Sequence, residues 1–432
     1  MPLPHRGADD RKGLPGARAA ARTWAMRLLR LDIENIGPFD SASLEFLKSP
    51  EDRPAVTFIT GENGTGKTIL IDAIRAWFGR PFAALERNIF RQGSPASIAL
   101  TYELQWRLEQ RRQSHAAGVT AMGYLNSIAP MVEMQSRATG GVVVDYWRST
   151  PGGGGYEIES LSPPQLANLF HFHNALQGFQ SNSEVTQLLC HFDYLRDSRD
   201  KKERGAGEAL YAAAERIVKL GLLDGELTAV RRSTLTPMVR QAGHEVPLAN
   251  ISSGNAYFIQ RMIGLLGRMY AVQVLCDKPI AELCHTRGLL LIDEAENHLH
   301  PRWQKRFLGD ILSVFPHLQI IATTHSPFVL ASLPGARVYV CRWDGQRCTV
   351  SEETEVYANQ PVDEILLSPA FDGTQPFGPE ISDLLRRRKQ AIDAGDQAAR
   401  RQIEEDLLAR NPEHFSYLRV DQKLAALKGR AG

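Results

Sequence analysis

A glycine-rich segment near the amino end of the chain has a residue spacing that binds phosphate groups. Residues 61–68 read GENGTGKT and match G-x-x-x-x-G-K-[ST], between an apolar run suited to a strand and a segment suited to a helix. Glycines let backbone N–H groups surround phosphate oxygens, and the positive end of the helix adds attraction. We expect Lys67 to neutralise phosphate oxygens as a catalytic residue and the Thr68 hydroxyl to ligate Mg²⁺. The predicted phosphate-binding residues are Asn63, Gly64, Thr65, Gly66, Lys67 and Thr68.

Two adjacent carboxylates, Asp293 and Glu294, end an apolar run, LLLI, at residues 289–292. A parallel sheet presents the carboxyl ends of its strands to the ligand, so these acids are expected at a binding edge. Asp293 would hold Mg²⁺ through water, and Glu294 would orient or deprotonate the attacking water as a catalytic residue. Either segment alone allows a plain structural explanation, a chance glycine-rich turn or a solvated strand end. Together they favour hydrolysis of a nucleoside triphosphate.

The residues after the acidic pair carry a family resemblance. Residues 294–301, EAENHLHP, resemble the corresponding segment of prokaryotic ABC-type ATPases related to RecF, SMC and OLD proteins. His298 and His300 also suggest a metal pair, but zinc takes four ligands and no cysteine lies nearby in the sequence. The ATPase interpretation is therefore favoured.

Two further segments match that family in the expected order. Residues 251–255, ISSGN, resemble the ABC signature, with Asn255 where Gln or Glu is commoner, and residues 323–327, TTHSP, resemble the switch-histidine segment. The resemblance implies that Ser252 and Gly254 contact the γ-phosphate of ATP bound by the other subunit. It also implies a catalytic His325 near the γ-phosphate. The plainer alternatives are a helix cap for Ser252 and a structural role for His325.

The family resemblance covers residues 26 to about 340, apart from the middle of the chain. It implies ATP and Mg²⁺ as ligands and a head-to-tail homodimer that sandwiches two ATP molecules and opens after hydrolysis. The family's glutamine loop has only one candidate, Gln92. The tail, at residues 363–366 and 391–396, resembles stand-alone ATPases of anti-phage systems, including Septu and some retrons.

These features predict an ATP-hydrolysing, DNA-associated ATPase that controls a separate nuclease or toxin in anti-phage defence. No DxD pattern follows His325, so a nuclease is expected on another polypeptide. The alternatives are a nucleotide-gated scaffold with incidental turnover and a RecF-like DNA repair ATPase. A transporter ATPase is disfavoured, because the segment after the acidic pair reads differently in transporters.

The order of strand-like and helix-like segments predicts the α/β class, with helices flanking a mostly parallel sheet. The glycine loop together with the family resemblance implies a P-loop NTPase with an ABC-ATPase-like head. An inserted α+β or helical lobe and a C-terminal helical appendage complete the prediction. The predicted parts are a disordered basic arm at 1–25, the head at 26–95 and 246–345, the inserted lobe at 96–245, and a hairpin with the appendage at 346–432.

Composition limits the partners of the chain. Fifty Lys and Arg residues against 49 Asp and Glu give a net charge of +1 over 432 residues, so contact with DNA requires a local basic patch. Two candidates are residues 231–232 and 386–389, although a solvated face balanced by nearby acids is the simpler explanation. No apolar run reaches the length of a membrane span.

Five scattered cysteines without a CxxC pair predict a reducing, cytoplasmic location. A two-residue turn at Asp344-Gly345 would also place Cys341 opposite Cys348 across a hairpin, so a redox pair is considered beside two buried thiols.

Overall fold

The computed structural model describes residues 26–48, 56–78, 89–91, 94–104, 107–115, 141–150, 154–162, 178, 181–357, 359–371 and 377–419. The arm predicted at residues 1–25 and the candidate Gln92 lie outside these ranges. Backbone contacts divide the chain into two units, one ending at Gln360 and one beginning at Pro361.

Among the described residues, the first unit contains thirteen strands and eight α-helices. The strands are β1 (Met26–Ile36), β2 (Phe39–Glu45), β3 (Val56–Gly61), β4 (Ala96–Leu104), β5 (Arg107–His115), β6 (Val143–Trp147), β7 (Glu226–Arg231), β8 (Thr236–Gln241), β9 (His244–Pro247), β10 (Gly288–Ile292), β11 (Leu318–Thr323), β12 (Arg337–Trp343) and β13 (Cys348–Glu352). Its α-helices are α1 (Lys67–Phe78), α2 (Asn182–Arg196), α3 (Lys201–Leu222), α4 (Ser253–Leu275), α5 (Pro301–Gln304), α6 (Phe307–Val314), α7 (Pro327–Leu330) and α8 (Thr354–Tyr357). Two 3₁₀ turns, Leu248–Asn250 and Ile280–His285, lie on either side of α4.

A six-stranded sheet in the order β13-β12-β3-β11-β10-β6 forms the centre of this unit. All neighbouring pairs are parallel except β12 and β13. Strands β3, β6, β10 and β11 are buried at every position, which explains why their sequences are continuous apolar runs rather than alternating ones. The predicted α/β class with a mostly parallel sheet is confirmed.

Helix α1 follows β3 after the loop at residues 62–66 and packs against the central sheet. Its side chains Leu70, Ile71 and Ile74 belong to the same buried cluster as Ile59 of β3 and Ile321 of β11. Burying each of these side chains contributes roughly 1.5–3 kcal/mol. The loop between β3 and α1 is therefore held at both ends by the core.

An antiparallel sheet in the order β2-β1-β4-β5 lies in the same unit. Strand β1 pairs with β4 from Met26↔Leu104 to Glu34↔Ser97, and β6 pairs with β10 in the central sheet. The structure thus departs from the lobe boundary predicted at residue 96, because β4 and β6 belong to the sheets of the head. The physical reason is that strand pairing is non-local, so two strands far along the chain complete sheets begun earlier.

Helices α2 and α3 and the three-stranded antiparallel sheet β7-β8-β9 are the elements that the structure describes over residues 182–247, which include the second part of the predicted lobe. Ser181 caps α2 and Asp200 caps α3, each by accepting backbone N–H groups of the first turn. Helix α4 follows and is buried over most of its length, which explains its weak amphipathic pattern.

The hairpin β12–β13 forms one edge of the central sheet. The structure therefore places the end of the head later than the predicted residue 345. Asp344 accepts backbone N–H groups from Gln346 and Arg347, which makes a four-residue connection instead of a two-residue turn. Cys348 therefore lies opposite Trp343, and Cys341 lies opposite Val350. Both thiols are free and buried.

The second unit is helical, as predicted for the appendage. Its elements are α9 (Val362–Leu366), a 3₁₀ turn at Pro369–Phe371, α10 (Pro379–Asp393) and α11 (Gln397–Arg410). Leu384 of α10 packs with Ile403 and Leu407 of α11 and with Phe415 in a small core. Asp396 caps α11. No helix within the described part of either unit is both long and apolar enough to cross a bilayer.

Candidate functional site

Three glycines shape the loop at residues 61–66. Gly61, Gly64 and Gly66 have φ angles of 135°, 83° and 88°, in the left-handed region that favours glycine. A Cβ atom on Gly61 would lie 2.1 Å from the Cys341 carbonyl oxygen, and one on Gly66 would lie 2.7 Å from both Pro38 and Phe39. Neighbouring chain segments therefore require glycine at Gly61 and Gly66.

Lys67 begins α1 and bends back over the loop. Its Nζ donates to the carbonyl oxygens of Gly61 at 3.0 Å and Glu62 at 2.6 Å. Burial lowers the pKa of Lys67, and the nearby carboxylates Glu296, Asp293 and Glu294 partly oppose this. The ammonium group is thus held against the loop where phosphate oxygens would replace the carbonyls.

Asp293 lies at the carboxyl end of β10 and is 1% exposed. Its Oδ1 accepts hydrogen bonds from Thr68 Oγ1 at 2.9 Å and Thr323 Oγ1 at 2.8 Å. The two residues predicted to hold Mg²⁺ are therefore in direct contact. They supply a carboxylate and a hydroxyl, the hard oxygen ligands that Mg²⁺ prefers. Together with the glycine cradle, this donor set fits the ion, and Thr68 and Asp293 are the residues that would hold it.

Glu294 follows Asp293 and has a φ of 54°, which is uncommon for a residue with a side chain. Its backbone N–H donates to Thr323 Oγ1 at 2.8 Å, and its carboxylate accepts a hydrogen bond from Asn297 Nδ2. Such strained backbone concentrates at functional sites. The side chain is only partly buried, so it remains accessible to water.

His325 lies in the loop after β11, where its surroundings hold the ring neutral. Burial and the nearby Lys67 charge lower its pKa to about 4, although Asp293 acts in the opposite direction. The loop is fixed by Glu296, which accepts from the His325 backbone N–H at 2.7 Å and from Thr324 Oγ1 at 2.6 Å. Burial raises the pKa of Glu296, and these two hydrogen bonds oppose that rise. His325 therefore shares the electrostatic environment of Lys67 and Asp293.

Ser252 immediately precedes α4, and Gly254 lies in its first turn. No hydrogen bond joins either residue to the glycine loop within the described ranges. A Cβ atom on Gly254 would lie 2.8 Å from the His298 carbonyl oxygen, so the segment after β10 packs against this helix terminus. Ser252 is exposed and its side chain caps no backbone group of α4. The alternative prediction, that the Ser252 side chain caps the helix, is therefore wrong.

The histidine pair does not form a metal centre in the part of the chain that the structure describes. His298 and His300 are both exposed, and no group of three metal-ligating side chains occurs there. His300 instead caps α5 through Nδ1, which accepts from Arg302 N at 3.3 Å. The ring of His298 lies 5.6 Å from the ring of Tyr257.

Three residues of the site were absent from the sequence-based prediction: Thr323, Asn297 and Glu296. Thr323 bridges Asp293 and Glu294, Asn297 bonds Glu294, and Glu296 fixes the histidine loop. Their position in the sequence could have indicated them, since all three lie within the segments that carry the family resemblance, residues 294–301 and 323–327.

The basic segments are largely neutralised by neighbouring acids. Arg232 pairs with Asp193 and Asp197, and Arg231 lies 3.6 Å from Glu245. In the second unit, Arg386 pairs with Asp383 and Arg388 with Glu404, whereas Arg387 and Lys389 are exposed. These pairs favour the solvated-face interpretation.

Family models and curated proteins match parts of this chain in sequence. A family model described as "AAA domain" matches residues 30–217, and another, "AAA domain, putative AbiEii toxin, Type IV TA system", matches residues 174–331. The "Retron Vc95 probable ATPase" of Vibrio cholerae serotype O1 biovar El Tor is 23% identical over 172 residues, which are 40% of this chain and 33% of the relative. The "Septu protein PtuA" of Bacillus mycoides (strain KBAB4) is 35% identical over 107 residues, covering 23% of this chain and 14% of that protein.

The matched segments span a third or less of the length of these curated relatives. Among solved structures, the SMC head domain from Thermotoga maritima matches with a TM-score of 0.40 and 16% identity, over 76% of this chain and 99% of that one. Two parts of the chain thus match AAA-domain family models, and segments of it are similar in sequence to a retron ATPase and to the Septu protein PtuA.

Proposed function

We propose that this protein binds and hydrolyses ATP and that nucleotide-driven closure of a dimer controls a separate effector protein. The observation that carries the proposal is the convergence of Thr68, from the glycine loop, with Asp293, from the distant acidic strand. A chance glycine-rich turn would have no reason to meet a buried carboxylate at the carboxyl edge of a parallel sheet.

In this proposal the chain's own groups position the substrate and the attacking water. Backbone N–H groups from Asn63 to Gly66 and the Lys67 ammonium group bind the phosphate oxygens. Glu294 orients a water molecule and accepts its proton as the water oxygen bonds to the γ-phosphorus. The bond from that phosphorus to the β–γ bridging oxygen breaks, which releases ADP and phosphate. Thr68 and Asp293 would hold Mg²⁺, which would supply neutralisation of phosphate charge.

His325 contributes as a neutral ring. Because burial lowers its pKa to about 4, it is uncharged at physiological pH and can donate one hydrogen bond to a γ-phosphate oxygen. It therefore senses the γ-phosphate without adding a formal charge beside Lys67.

Dimer closure is proposed because Ser252 is exposed and makes no hydrogen bond to the glycine loop of its own chain among the described residues. A second copy, arranged head to tail, would bring this residue and Gly254 to the γ-phosphate. ATP would then favour the closed dimer and hydrolysis would release it, since the γ-phosphate contacts exist only in the closed state.

The biological process proposed is anti-phage defence with a nuclease or toxin on another polypeptide, and DNA as a possible further partner. Support comes from the homology to a retron ATPase and to Septu PtuA. The alternatives are a nucleotide-gated scaffold whose turnover is incidental and a RecF-like repair ATPase.

The test compares wild-type protein with Glu294→Gln, which keeps the size of the side chain and removes the proton acceptor. We expect phosphate release to fall at least about 100-fold while ATP still binds, and light scattering to show dimers that persist with ATP and Mg²⁺. Unchanged phosphate release would remove Glu294 from its proposed role. A phage-protection assay with the neighbouring genes then separates the models, because a scaffold stays active in this variant and a hydrolysis-driven device does not.

A further inference from the structure

Glu294 and helix α4 are linked by a chain of hydrogen bonds through residues 148–150, which follow β6. Asn297 Nδ2 donates both to the Glu294 carboxylate and to the Ser149 carbonyl oxygen, the latter at 3.2 Å. An amide nitrogen has two hydrogens, so these two bonds use its full donor capacity. The direction of the Glu294 carboxylate therefore depends on where Ser149 lies.

Arg261 of α4 fixes the loop that contains Ser149. Its Nη2 donates to the carbonyl oxygens of Arg148 at 3.3 Å and Thr150 at 3.0 Å, and its Nη1 donates to Gly178 at 3.2 Å. The guanidinium group is buried, with the whole residue 1% exposed. A buried fork that bonds the carbonyls on either side of Ser149 leaves that loop few alternative positions.

Two additional contacts join the same elements. The Tyr257 hydroxyl, also on α4, donates to the Arg148 carbonyl oxygen at 3.4 Å, and the Tyr257 ring lies against His298. Gly254, at the start of the helix, packs on the His298 backbone. The helix terminus and the segment carrying Asn297 are thus in contact and share one loop.

We propose that Asn297 is a positioning residue for Glu294 and that Arg261 transmits the position of α4 to it through residues 148–150. When Ser252 engages a second copy of the chain, the start of α4 would move. That movement would then reorient the Glu294 carboxylate of the same chain. This inference rests on the proposed ATPase function and adds a route by which one site of a dimer sets the activity of the other.

The first test uses the isosteric variant Asn297→Asp, which keeps the shape of the side chain, removes both donors and places a carboxylate beside Glu294. A purely packing role for Asn297 predicts that this variant is tolerated. We expect instead that kcat falls about 10- to 100-fold, more than in Asn297→Ala, while KM and ATP binding change less than about threefold. Asn182→Ala, which removes an exposed amide bonded to the Gly154 carbonyl, is the matched control and should keep wild-type kcat.

The second test is a double-mutant cycle between Asn297→Ala and Arg261→Lys, because the single nitrogen of lysine cannot span the positions from which Nη1 and Nη2 of Arg261 bond the three carbonyls. If both act through the loop, the double variant loses hardly more kcat than Asn297→Ala alone. Arg268→Lys is the control on the same helix, since Arg268 pairs with Asp145 at 2.8 Å, and its effect should multiply with that of Asn297→Ala. Thermal unfolding verifies that each variant is folded, and Asn297→Ser replaces any Asn297 variant that is not.

Wild-type kcat in folded Asn297→Asp, or effects of Arg261→Lys and Asn297→Ala that multiply, would overturn the inference. A wild-type protein without ATPase activity would instead overturn the proposed function, so the two failures are distinguishable.

Discussion

Thr68 donates a hydrogen bond of 2.9 Å to Asp293, although 225 positions separate the two residues in the chain. Thr68 lies in the first turn of α1, and Asp293 follows the buried strand β10. Strands β3 and β10 are not neighbours, since β11 lies between them in the sheet. The contact therefore reaches over the end of β11, where Thr323 bonds the same oxygen of Asp293.

Lys67→Met is expected to separate nucleotide binding from fold stability. The folded chain holds this ammonium group in a buried position that lowers its pKa, so its removal costs the nucleotide-free fold little. Without the charge, we expect ATPase activity to fall at least about 100-fold. The melting temperature without nucleotide should be unchanged or higher, and the rise that ATP and Mg²⁺ produce in wild-type protein should vanish.

Lys219→Met is the control, because Lys219 is an exposed lysine in the last turn of α3. It should retain both activity and the nucleotide-dependent rise in melting temperature. A Lys67→Met protein that is still stabilised by ATP would contradict the assignment of Lys67 to the phosphates.

Thr323→Val tests the bridge between the two carboxylate residues. The hydroxyl donates to Asp293 and accepts from the Glu294 backbone N–H, so valine removes both bonds at nearly constant volume. We expect the Mg²⁺ concentration for half-maximal activity to rise about 10- to 100-fold, as is typical when the partner of a metal ligand is lost.

Thr323→Ser keeps the hydroxyl and should restore most of the wild-type Mg²⁺ dependence. If the valine and serine variants have the same Mg²⁺ dependence, the hydroxyl is not what sets it, and the bridging role is wrong.

The sequence was informative where a function is carried by a local pattern. The glycine loop, the buried runs of β3 and β10 and the helix α1 follow from residue types and spacing, because each is built from neighbours in the chain. Those patterns were sufficient to predict the α/β class and to bring Thr68 and Asp293 to one sheet edge.

Features set by pairing between distant strands could not be predicted in this way. Strands β4 and β6 lie in the irregular middle of the sequence, yet they pair with β1 and β10. The bridging role of Thr323 depends on β11 lying beside β10, with Ala322 opposite Ile292. Ser149 offers only a backbone carbonyl to Asn297, which no side-chain pattern records.

Gly61→Ala is expected to destabilise the fold strongly. The residue has a φ of 135°, and a Cβ atom would lie 2.1 Å from the Cys341 carbonyl oxygen in the neighbouring strand β12. Backbone strain alone costs about 1–3 kcal/mol, and the collision adds to it. We expect a loss of at least about 3 kcal/mol in the free energy of unfolding, measured by urea denaturation.

Gly309→Ala is the opposite control. Gly309 lies within α6, and a Cβ atom there would meet nothing within 4 Å, so alanine should stabilise the helix by about 0.5–1 kcal/mol. Equal effects of the two variants would show that the close approach of β12 to Gly61 is not what requires glycine.

The stability of the protein should depend on pH through His325. Burial lowers its pKa in the folded state to about 4, below the ordinary value of 6.5 expected in the unfolded chain. Between these values the unfolded state binds more protons, so acidification from pH 6.5 towards 4 favours unfolding. We expect the urea midpoint of wild-type protein to fall more between pH 7 and pH 5 than that of His325→Gln, which lacks the titrating ring.

Exposed His244→Gln is the matched control and should follow the wild-type curve. Parallel curves for wild-type protein and His325→Gln would mean that the ring is not held neutral beside Lys67, and its proposed contact with the γ-phosphate as an uncharged donor would be lost.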